Sequence, residues 1–477
     1  CSGTTSDTVQ FTSSFGVVGT SFNWTNDNTT IGLSASSGSG NIGSFIGLNV
    51  GNAVESSEIV VTPTFTNSGV ACVGLSDTFT ISINPIPVVV VPLDQVVCNN
   101  SQTADVLFSS LTAGTTFTWE NSNTAIGLTS TGNGDILSFT ATNTTNSPIV
   151  ATIAVMPSFE NGGVSCDGDT VSFTLTVNPT PSVDSSIDQI ICSGTTSDTV
   201  QFTSSFGVVG TSFNWTNDNT TIGLSSSSGT GNIGSFTGLN LGNAVESSEI
   251  VVTPTFASSG ATCAGLSDTF TISVNPIPVV ADPLDQVVCN NSQTADVFFS
   301  SLTAGTTFTW ENDDTTIGLS SAGNGDILSF TATNTTNTPI VATITVIPSF
   351  ENGGVSCVGD SVVFEIKVNP TLIVLVDSSA SYCQNSSSVL PITASSNGTS
   401  TSYIYQWYSN SNNTNVGGSL ILGANSSTYL PPVNSIGIVY YYCVMSEDTS
   451  ITDCSFTSNS AGITTNLGPT FSSQPIS

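Results

Sequence analysis

The sequence predicts an all-β protein, a tandem array of five immunoglobulin-like β-sandwich domains forming an elongated rod. Three observations predict this fold. Residues 1–34 recur letter for letter at 192–225, and cysteines recur at regular intervals along the 477 residues. Short alternating stretches rich in Val, Ile, Thr and Phe are separated by clusters of Gly, Asn and Ser, a pattern typical of antiparallel strands.

Cysteine spacing divides the chain into units. An interval of 26 residues separates the cysteines at 72–98, 166–192, 263–289 and 357–383. Within the units the cysteine interval alternates between 71 and 68, so the chain reads A-B-A-B followed by a fifth, different unit. A fixed period indicates repeated structural units, and about 95 residues are enough for each to fold alone. We expect domains at 1–88, 89–182, 183–279, 280–372 and 373–477.

Each A or B unit has one early and one late cysteine, and the sequence has no histidine. A regular pair without CxxC or Cys/His clustering indicates a disulfide rather than a metal site. Closing a loop of about 70 residues contributes roughly 4 kcal/mol in the chain-entropy model. Disulfides also indicate an oxidising, extracellular setting. The expected bonds are Cys1–Cys72, Cys98–Cys166, Cys192–Cys263 and Cys289–Cys357.

The fifth unit has three cysteines and leaves two pairings open. Cys383 and Cys454 are again 71 residues apart, so a bond between them repeats the pattern and leaves Cys443 as a buried free thiol. A local Cys443–Cys454 bond is the competing interpretation. We favour the first.

Alternating stretches in the first unit predict strands at 7–12, 21–25, 43–48, 58–65 and 78–83. No stretch has helical periodicity of useful length. About seven short strands in 95 residues fit an immunoglobulin-like sandwich. An aromatic-x-Trp pair recurs once per unit, which favours core packing over a ligand platform. The pairs are Phe22/Trp24, Phe117/Trp119, Phe213/Trp215, Phe308/Trp310 and Tyr405/Trp407.

The units join through proline-containing segments rather than flexible Gly/Ser linkers. These segments are 84–87, 178–181, 275–278 and 369–371. Proline fixes φ, so we expect limited bending at each joint. Strands of about ten residues give ~35 Å per unit, and five units end to end give a rod on the order of 175 Å.

Charge excludes several function classes. The chain has 33 acidic residues, one lysine, no arginine and a net charge of −32. Without basic residues it cannot neutralise phosphates, so we expect no nucleic-acid partner and no polybasic attachment to anionic lipid. No apolar run reaches the 18 residues of a membrane span. No signal peptide is visible, and Cys1 begins within a repeat, so we expect this segment to belong to a longer polypeptide.

We expect no enzyme activity, because a chain without histidine has no His-based triad or relay. The carboxylate pair Asp167/Asp169 has no counterpart in the A units. We assign no catalytic, cofactor-binding or metal-binding residue and expect no cofactor. Calcium at unit junctions is the one alternative, since carboxylates are its preferred ligands. Its candidate ligands are Asp184, Asp188, Asp282 and Asp285.

Asp-Thr/Ser-apolar triplets occur at 7–9, 169–171, 198–200 and 360–362. A polar turn entering a strand accounts for them equally well. The frame FxW(T/E)N…IGL…SFT…NP at 117–181 resembles the PKD-like repeats of giant Bacteroidota cell-surface adhesins. The last unit has YQWY at 405–408, GGSLILGANSSTYLPP at 417–432 and YYYC at 440–443. It resembles the Ig-like repeats of the same proteins, which include gliding-motility adhesins.

The resemblance implies type IX secretion, a location on the bacterial outer-membrane surface and adhesion during gliding. It also makes the triplet hydroxyls candidate O-glycosylation sites: Thr8, Thr170, Thr199 and Ser361. The expected function is a structural stalk segment of a secreted adhesin or filament. Its partners are an extracellular surface or polysaccharide, bound through regions outside this segment, and copies of itself in a filament. The alternatives are a polysaccharide-binding repeat array and spacer domains of a large secreted enzyme.

Overall fold

In the computed structural model, which describes residues 1–399, 402–446 and 454–470, the regular structure is β-strand with four short 3₁₀ helices. No helix in these ranges is long and apolar enough to cross a membrane. The chain is an all-β tandem array of five immunoglobulin-like sandwich units in an elongated arrangement, as the sequence predicts.

The strands of each unit follow in chain order. Unit 1 contains β1 Thr20–Asn26, β2 Ser37–Ser39, β3 Glu55–Asn67, β4 Val70–Val73 and β5 Asp77–Ile83. Unit 2 contains β6 Gln95–Cys98, β7 Thr116–Asn121, β8 Thr131–Asn133, β9 Ile149–Asn161, β10 Val164–Asp167 and β11 Val171–Asn178. Unit 3 contains β12 Gln189–Cys192, β13 Ser212–Asn217, β14 Ser228–Thr230, β15 Glu246–Ser258, β16 Ala261–Ala264 and β17 Asp268–Asn275.

Unit 4 contains β18 Gln286–Cys289, β19 Thr307–Asn312, β20 Ala322–Asn324, β21 Ile340–Asn352, β22 Val355–Val358 and β23 Val362–Asn369. Unit 5 contains β24 Val374–Val376, β25 Ala380–Cys383, β26 Ile392–Ser396, β27 Ile404–Asn410, β28 Ser419–Leu420, β29 Thr428–Tyr429, β30 Gly437–Ser446, β31 Ser455–Thr457 and β32 Ala461–Asn466. The 3₁₀ helices are Thr29–Ile31, Thr124–Ile126, Thr220–Ile222 and Thr315–Ile317.

One sheet topology recurs along the chain. In unit 3 the strand order is β12-β17-β15-β13-β14, and β16 pairs with the free end of the long strand β15. The short edge strand β12 runs parallel to β17, whereas the other pairs in this sheet are antiparallel. Units 2 and 4 repeat this order, and unit 5 repeats it as β25-β32-β30-β27-β28. Each sheet lies within one of the domain ranges expected from the sequence.

The second layer of the sandwich is irregular, and here the strand prediction is wrong in part. The stretches 7–12 and 43–48 pair only at single positions, Val9 with Ile42 and Thr5 with Ile46. The reason is that side chains take the place of main-chain partners. The main-chain N–H of Phe11 donates to Oδ1 of Asn41 at 2.9 Å, and that of Phe45 to Oγ of Ser6 at 3.1 Å.

The aromatic-x-Trp pairs belong to the cores, which confirms the packing interpretation. Trp215 is buried among Ile222, Ile250 and Phe270, with Phe213 half-buried beside it. Its indole lies flat on Gly229 of β14, where an added Cβ would meet the ring at 2.3 Å. A glycine is required at this position, since any side chain there displaces the tryptophan. The other A and B units repeat the contact with Trp24/Gly38, Trp119/Gly132 and Trp310/Gly323.

Candidate functional site

The functional feature that recurs in this chain is the joint between consecutive units. Each joint has two parts. The donor end is the last residue of the short parallel edge strand together with the last residue of its neighbouring strand. The receiver hairpin is the tight hairpin at the far end of the following unit's longest strand.

The donor end of unit 3 places a cysteine and an asparagine side by side. Because β12 runs parallel to β17, Cys192 lies opposite Asn275 at the same end of the sheet. The chain then turns: the N–H of Thr195 donates to the carbonyl of Cys192 at 3.1 Å, with Gly194 at φ +82°. A turn of this type requires positive φ at its third residue, which explains Gly or Asn two positions after each early cysteine.

The receiver hairpin of unit 4 is β21–β22. Its two turn residues are Gly353 and Gly354, with φ of +58° and +78°. Two consecutive positive φ values define the type I′ turn, whose twist matches that of paired strands. Cys357 follows the turn, opposite Phe350 in the ladder. The late cysteine is therefore carried at the tip of the unit that faces its predecessor.

At the joint of units 3 and 4 these parts meet. Cys192 and Cys357 form a disulfide with 5.6 Å between their Cα atoms. Nδ2 of Asn275 donates to the carbonyl of Asn352 at 3.3 Å, and Nδ2 of Asn352 donates back to Oδ1 of Asn275 at 3.0 Å. A Cβ added to Gly353 would lie 2.1 Å from Cδ1 of Ile190, so the turn packs directly on the preceding unit.

Four such joints are covalently closed, and the bonds differ from the expected ones. The disulfides are Cys1–Cys166, Cys98–Cys263, Cys192–Cys357 and Cys289–Cys454, each spanning 165 residues between neighbouring units. The predicted bonds within units, Cys1–Cys72, Cys98–Cys166, Cys192–Cys263 and Cys289–Cys357, are wrong. Cys72 and Cys383, both expected to be disulfide-bonded, are free and exposed.

The geometry of one unit explains this correction. In unit 3 the donor Cys192 lies beside the β17 end that pairs with Glu246, whereas Cys263 pairs with Phe256. Those two positions are ten residues apart along β15, or about 33 Å at 3.3 Å per residue. A disulfide requires Cα atoms roughly 4.4–6.8 Å apart, so the two cysteines of one unit cannot bond to each other.

In the fifth unit Cys454 bonds to Cys289, so both expected partners of Cys454, Cys383 and Cys443, are wrong. Cys443 is a buried free thiol, as the favoured interpretation held. Burial raises the pKa of the Cys443 thiol to about 11. It is therefore protonated and unreactive near neutral pH.

The joints are of two kinds. When an A unit precedes a B unit, two asparagines bond reciprocally, as Asn275 and Asn352 do and as Asn84 and Asn161 do. When the B unit comes first, the hairpin has Ser258 in place of the second asparagine. Asn178 then donates to the carbonyl of Ser258 at 3.0 Å, and its buried Oδ1 has no partner in the part of the chain that the structure describes.

The acidic residues considered for calcium hold main-chain groups instead. Asp188 accepts from the N–H of Thr271 at 2.6 Å, and Asp285 accepts from that of Glu365 at 2.7 Å. Asp184 accepts from the N–H of Ser205 at 2.8 Å, the main cause of its lowered pKa, and Asp282 is exposed. Within residues 1–399, 402–446 and 454–470, no group of three Cys, Asp or Glu side chains could hold a metal ion.

The triplet hydroxyls are accessible. Thr8, Thr170, Thr199 and Ser361 are all exposed in irregular backbone immediately before a strand or a paired position. This placement fits the turn interpretation and also leaves each hydroxyl open to modification. Asp167 and Asp169, both exposed, lie on either side of Gly168 beside the joint of units 1 and 2.

The fold and its joints define a tandem array of immunoglobulin-like sandwiches cross-linked from each unit to the next. No protein-family model and no curated protein matches the chain. Among solved structures, a titin I-band fragment, I67–I69, aligns with 60% of this chain and 100% of its own at 13% identity and a TM-score of 0.36.

The human desmocollin-1 ectodomain aligns with 98% of this chain and 96% of its own at 10% identity and a TM-score of 0.26. Sidekick-1 immunoglobulin domains 1–5 align with 94% of this chain and 93% of their own at 13% identity and a TM-score of 0.24. At these identities and TM-scores we carry no property of those proteins to this chain.

Proposed function

We propose that this segment is a load-bearing stalk of a secreted bacterial cell-surface adhesin, which holds a binding region away from the cell. The observation that carries the proposal is the disulfide across each of the four joints. It serves no active site, and it links units in series. In this proposal the segment has no catalytic role and needs no cofactor. Type IX secretion, the outer-membrane location and gliding adhesion come from the resemblance to Bacteroidota repeats.

The disulfides change how force travels along the chain. The loops 1–166, 98–263, 192–357 and 289–454 overlap, so every peptide linker is bypassed by a disulfide. Without disulfides a fully unfolded chain extends to about 1,600 Å at roughly 3.4 Å per residue. With them, the shortest covalent route from Cys1 to Ser477 contains only about 120 residues, or about 400 Å.

The surface suits the same role. Only 7% of the residues are charged, and the net charge is −32. Like charge on every unit keeps neighbouring stalks apart and soluble, at separations set by the Debye length of about 10 Å in 0.1 M salt. Disulfides persist in oxidising compartments, which supports an extracellular location.

Single-molecule pulling of the 477-residue chain from both ends tests the proposal. We expect an oxidised chain to stop extending at about 400 Å and a fully reduced chain at about 1,600 Å. A Cys443→Ser variant is the matched control, because its thiol lies outside the joints and its extension should equal that of the wild type. Equal limits before and after reduction would refute a load-bearing role for the joints.

The polysaccharide-binding alternative has one supporting observation. The A units carry the same surface groove, lined in unit 3 by Thr221, Asn240, Leu241 and Glu246 and in unit 1 by the equivalent residues. Binding of the oxidised segment to a glycan array, abolished by Asn240→Ala together with Asn49→Ala, would favour this alternative over a passive stalk.

A further inference from the structure

Two cysteines of this chain occupy joint positions but have no disulfide. Cys72 stands where units 2 to 5 carry their bonded late cysteines, and Cys383 stands where units 1 to 4 carry their bonded early cysteines. Both are exposed. One is therefore the receiver half of a joint and the other is the donor half.

The receiver half in unit 1 is already formed. Ser68 and Gly69 take φ of +51° and +83°, the same turn as in the bonded hairpins. Cys72 pairs with Phe65, as Cys357 pairs with Phe350, and the N–H of Gly74 donates to the carbonyl of Pro63 at 2.9 Å. The bonded late cysteines are 1–3% exposed, so the difference at Cys72 is that no unit covers it.

The donor half in unit 5 is formed as well. Cys383 lies opposite Asn466 in a parallel ladder, and the N–H of Gln384 donates to the carbonyl of Asn466 at 2.8 Å. Asn385 at φ +62° supplies the turn that follows each early cysteine. Asn466 is exposed, whereas its four counterparts, Asn84, Asn178, Asn275 and Asn369, are 0–4% exposed.

We propose that Cys383 of one copy of this chain forms a disulfide with Cys72 of a second copy, joining unit 5 to unit 1 head to tail. Asn67 stands at the receiver position of Asn352, so Asn466 and Asn67 can form the reciprocal bond of the A-to-B joints. The two halves are different surfaces, so the contact is heterologous and leaves a free half at each end. Such a contact gives linear chains and does not close as a symmetric dimer.

This inference depends on the joint geometry alone and stands whether or not the chain is an adhesin stalk. The bond forms by thiol–disulfide exchange with a small disulfide oxidant such as oxidised glutathione. The Cys72 and Cys383 thiols each lose a proton, the two sulfurs bond, and the oxidant takes up two electrons and two protons as two glutathione molecules. Two chains of net charge −32 repel, so the reaction needs salt at about 0.5 M to screen them.

The test uses two complementary variants of the 477-residue chain, Cys72→Ser and Cys383→Ser. Each is incubated alone, and the two are mixed, at about 100 µM with oxidised glutathione and high salt. Products are resolved on non-reducing gels and mapped by mass spectrometry. We expect each variant alone to stay monomeric, the mixture to give a dimer and nothing larger, and the wild type to give a ladder linked through Cys72–Cys383 peptides.

Cys443→Ser is the matched control, and its ladder should equal that of the wild type. Asn466→Ala should slow ladder formation severalfold without changing its end products, because it removes the reciprocal bond but not the thiol. Dimers of either single variant, Cys72–Cys72 or Cys383–Cys383 peptides in the wild type, or monomers throughout would each overturn the proposal.

Discussion

A cut in the backbone between units 2 and 3 distinguishes disulfides across joints from disulfides within units. The perturbation is a site-specific protease sequence inserted between Ser185 and Ser186, where the backbone is irregular and Ser185 is exposed. Cleavage gives pieces of about 19 and 30 kDa from the 48.7 kDa chain. In the structure one disulfide, Cys98–Cys263, spans the cut.

The consequence is all or none. With Cys98–Cys263 intact, the cut protein should migrate as one species without reductant and as two with it. The double variant Cys98→Ser/Cys263→Ser should separate into two species without reductant, apart from the non-covalent joint contacts that denaturing gels remove. Its matched control is Cys192→Ser/Cys357→Ser, which removes a bond lying entirely on one side of the cut and should stay in one piece.

The assay is a non-reducing denaturing gel of the cleaved protein, purified from an oxidising compartment. The same experiment reports the energetics, because loss of a loop of 165 residues removes about 5 kcal/mol in the chain-entropy model. Overlap with neighbouring loops reduces that value for a single bond. Release of free 19 and 30 kDa pieces from the cut wild type without reductant would refute inter-unit pairing.

Three further predictions follow from the same structure. Trypsin should leave the folded chain intact for hours, because its single basic residue, Lys367, lies in β23 between β18 and β21; rapid cleavage there, seen by mass spectrometry, would show that this sheet opens. A maleimide should label two thiols per native chain, Cys72 and Cys383, and a third, Cys443, only after denaturation; three labels at once would contradict the burial of Cys443. Acid should destabilise the protein as Asp94, Asp184 and Asp314 protonate: hydrogen bonds lower the pKa of each in the folded state, so their contribution is present above the unfolded value near 3.9 and is lost as pH falls through the lower folded values. Asp314→Asn, which places at that cap the residue found at Asn219, should make the midpoint of thermal unfolding less sensitive to pH below about 4; an unchanged pH dependence would remove Asp314 from the account.

Much of the fold could be predicted from the sequence, because repeats and period-2 alternation survive in it. Trp215 and its counterparts were assignable to cores by recurrence alone. The second layer was predicted less well, since its apolar alternation resembles a strand while Asn41 and Ser6 occupy ladder positions as side chains. A composition rich in asparagine also suggested polar surface, yet Asn178 and Asn275 are fully buried.

The pairing of the cysteines could not be settled by the loop argument, which favours any two cysteines at a regular spacing. A signal was nevertheless present. The intervals within units alternate between 71 and 68, whereas early cysteine to next late cysteine is 165 residues at every joint. A bond that repeats one geometry favours the constant interval. The missing information was the direction of the parallel edge strand, which places Cys192 and Cys263 at opposite ends of one sheet.

The missing second asparagine at the B-to-A joint has a mechanical consequence. The A-to-B joint is clamped by two reciprocal amide bonds, whereas the B-to-A joint of Asn178 has one such bond and an outer contact from Asn146 to Gly207 at 3.5 Å. Compliance should therefore alternate, with a stiffer and a softer articulation taking turns along the array. Electron micrographs of long arrays should show bends spaced two units apart, or about 70 Å, so that the molecule flexes like a carpenter's rule hinged at every other segment.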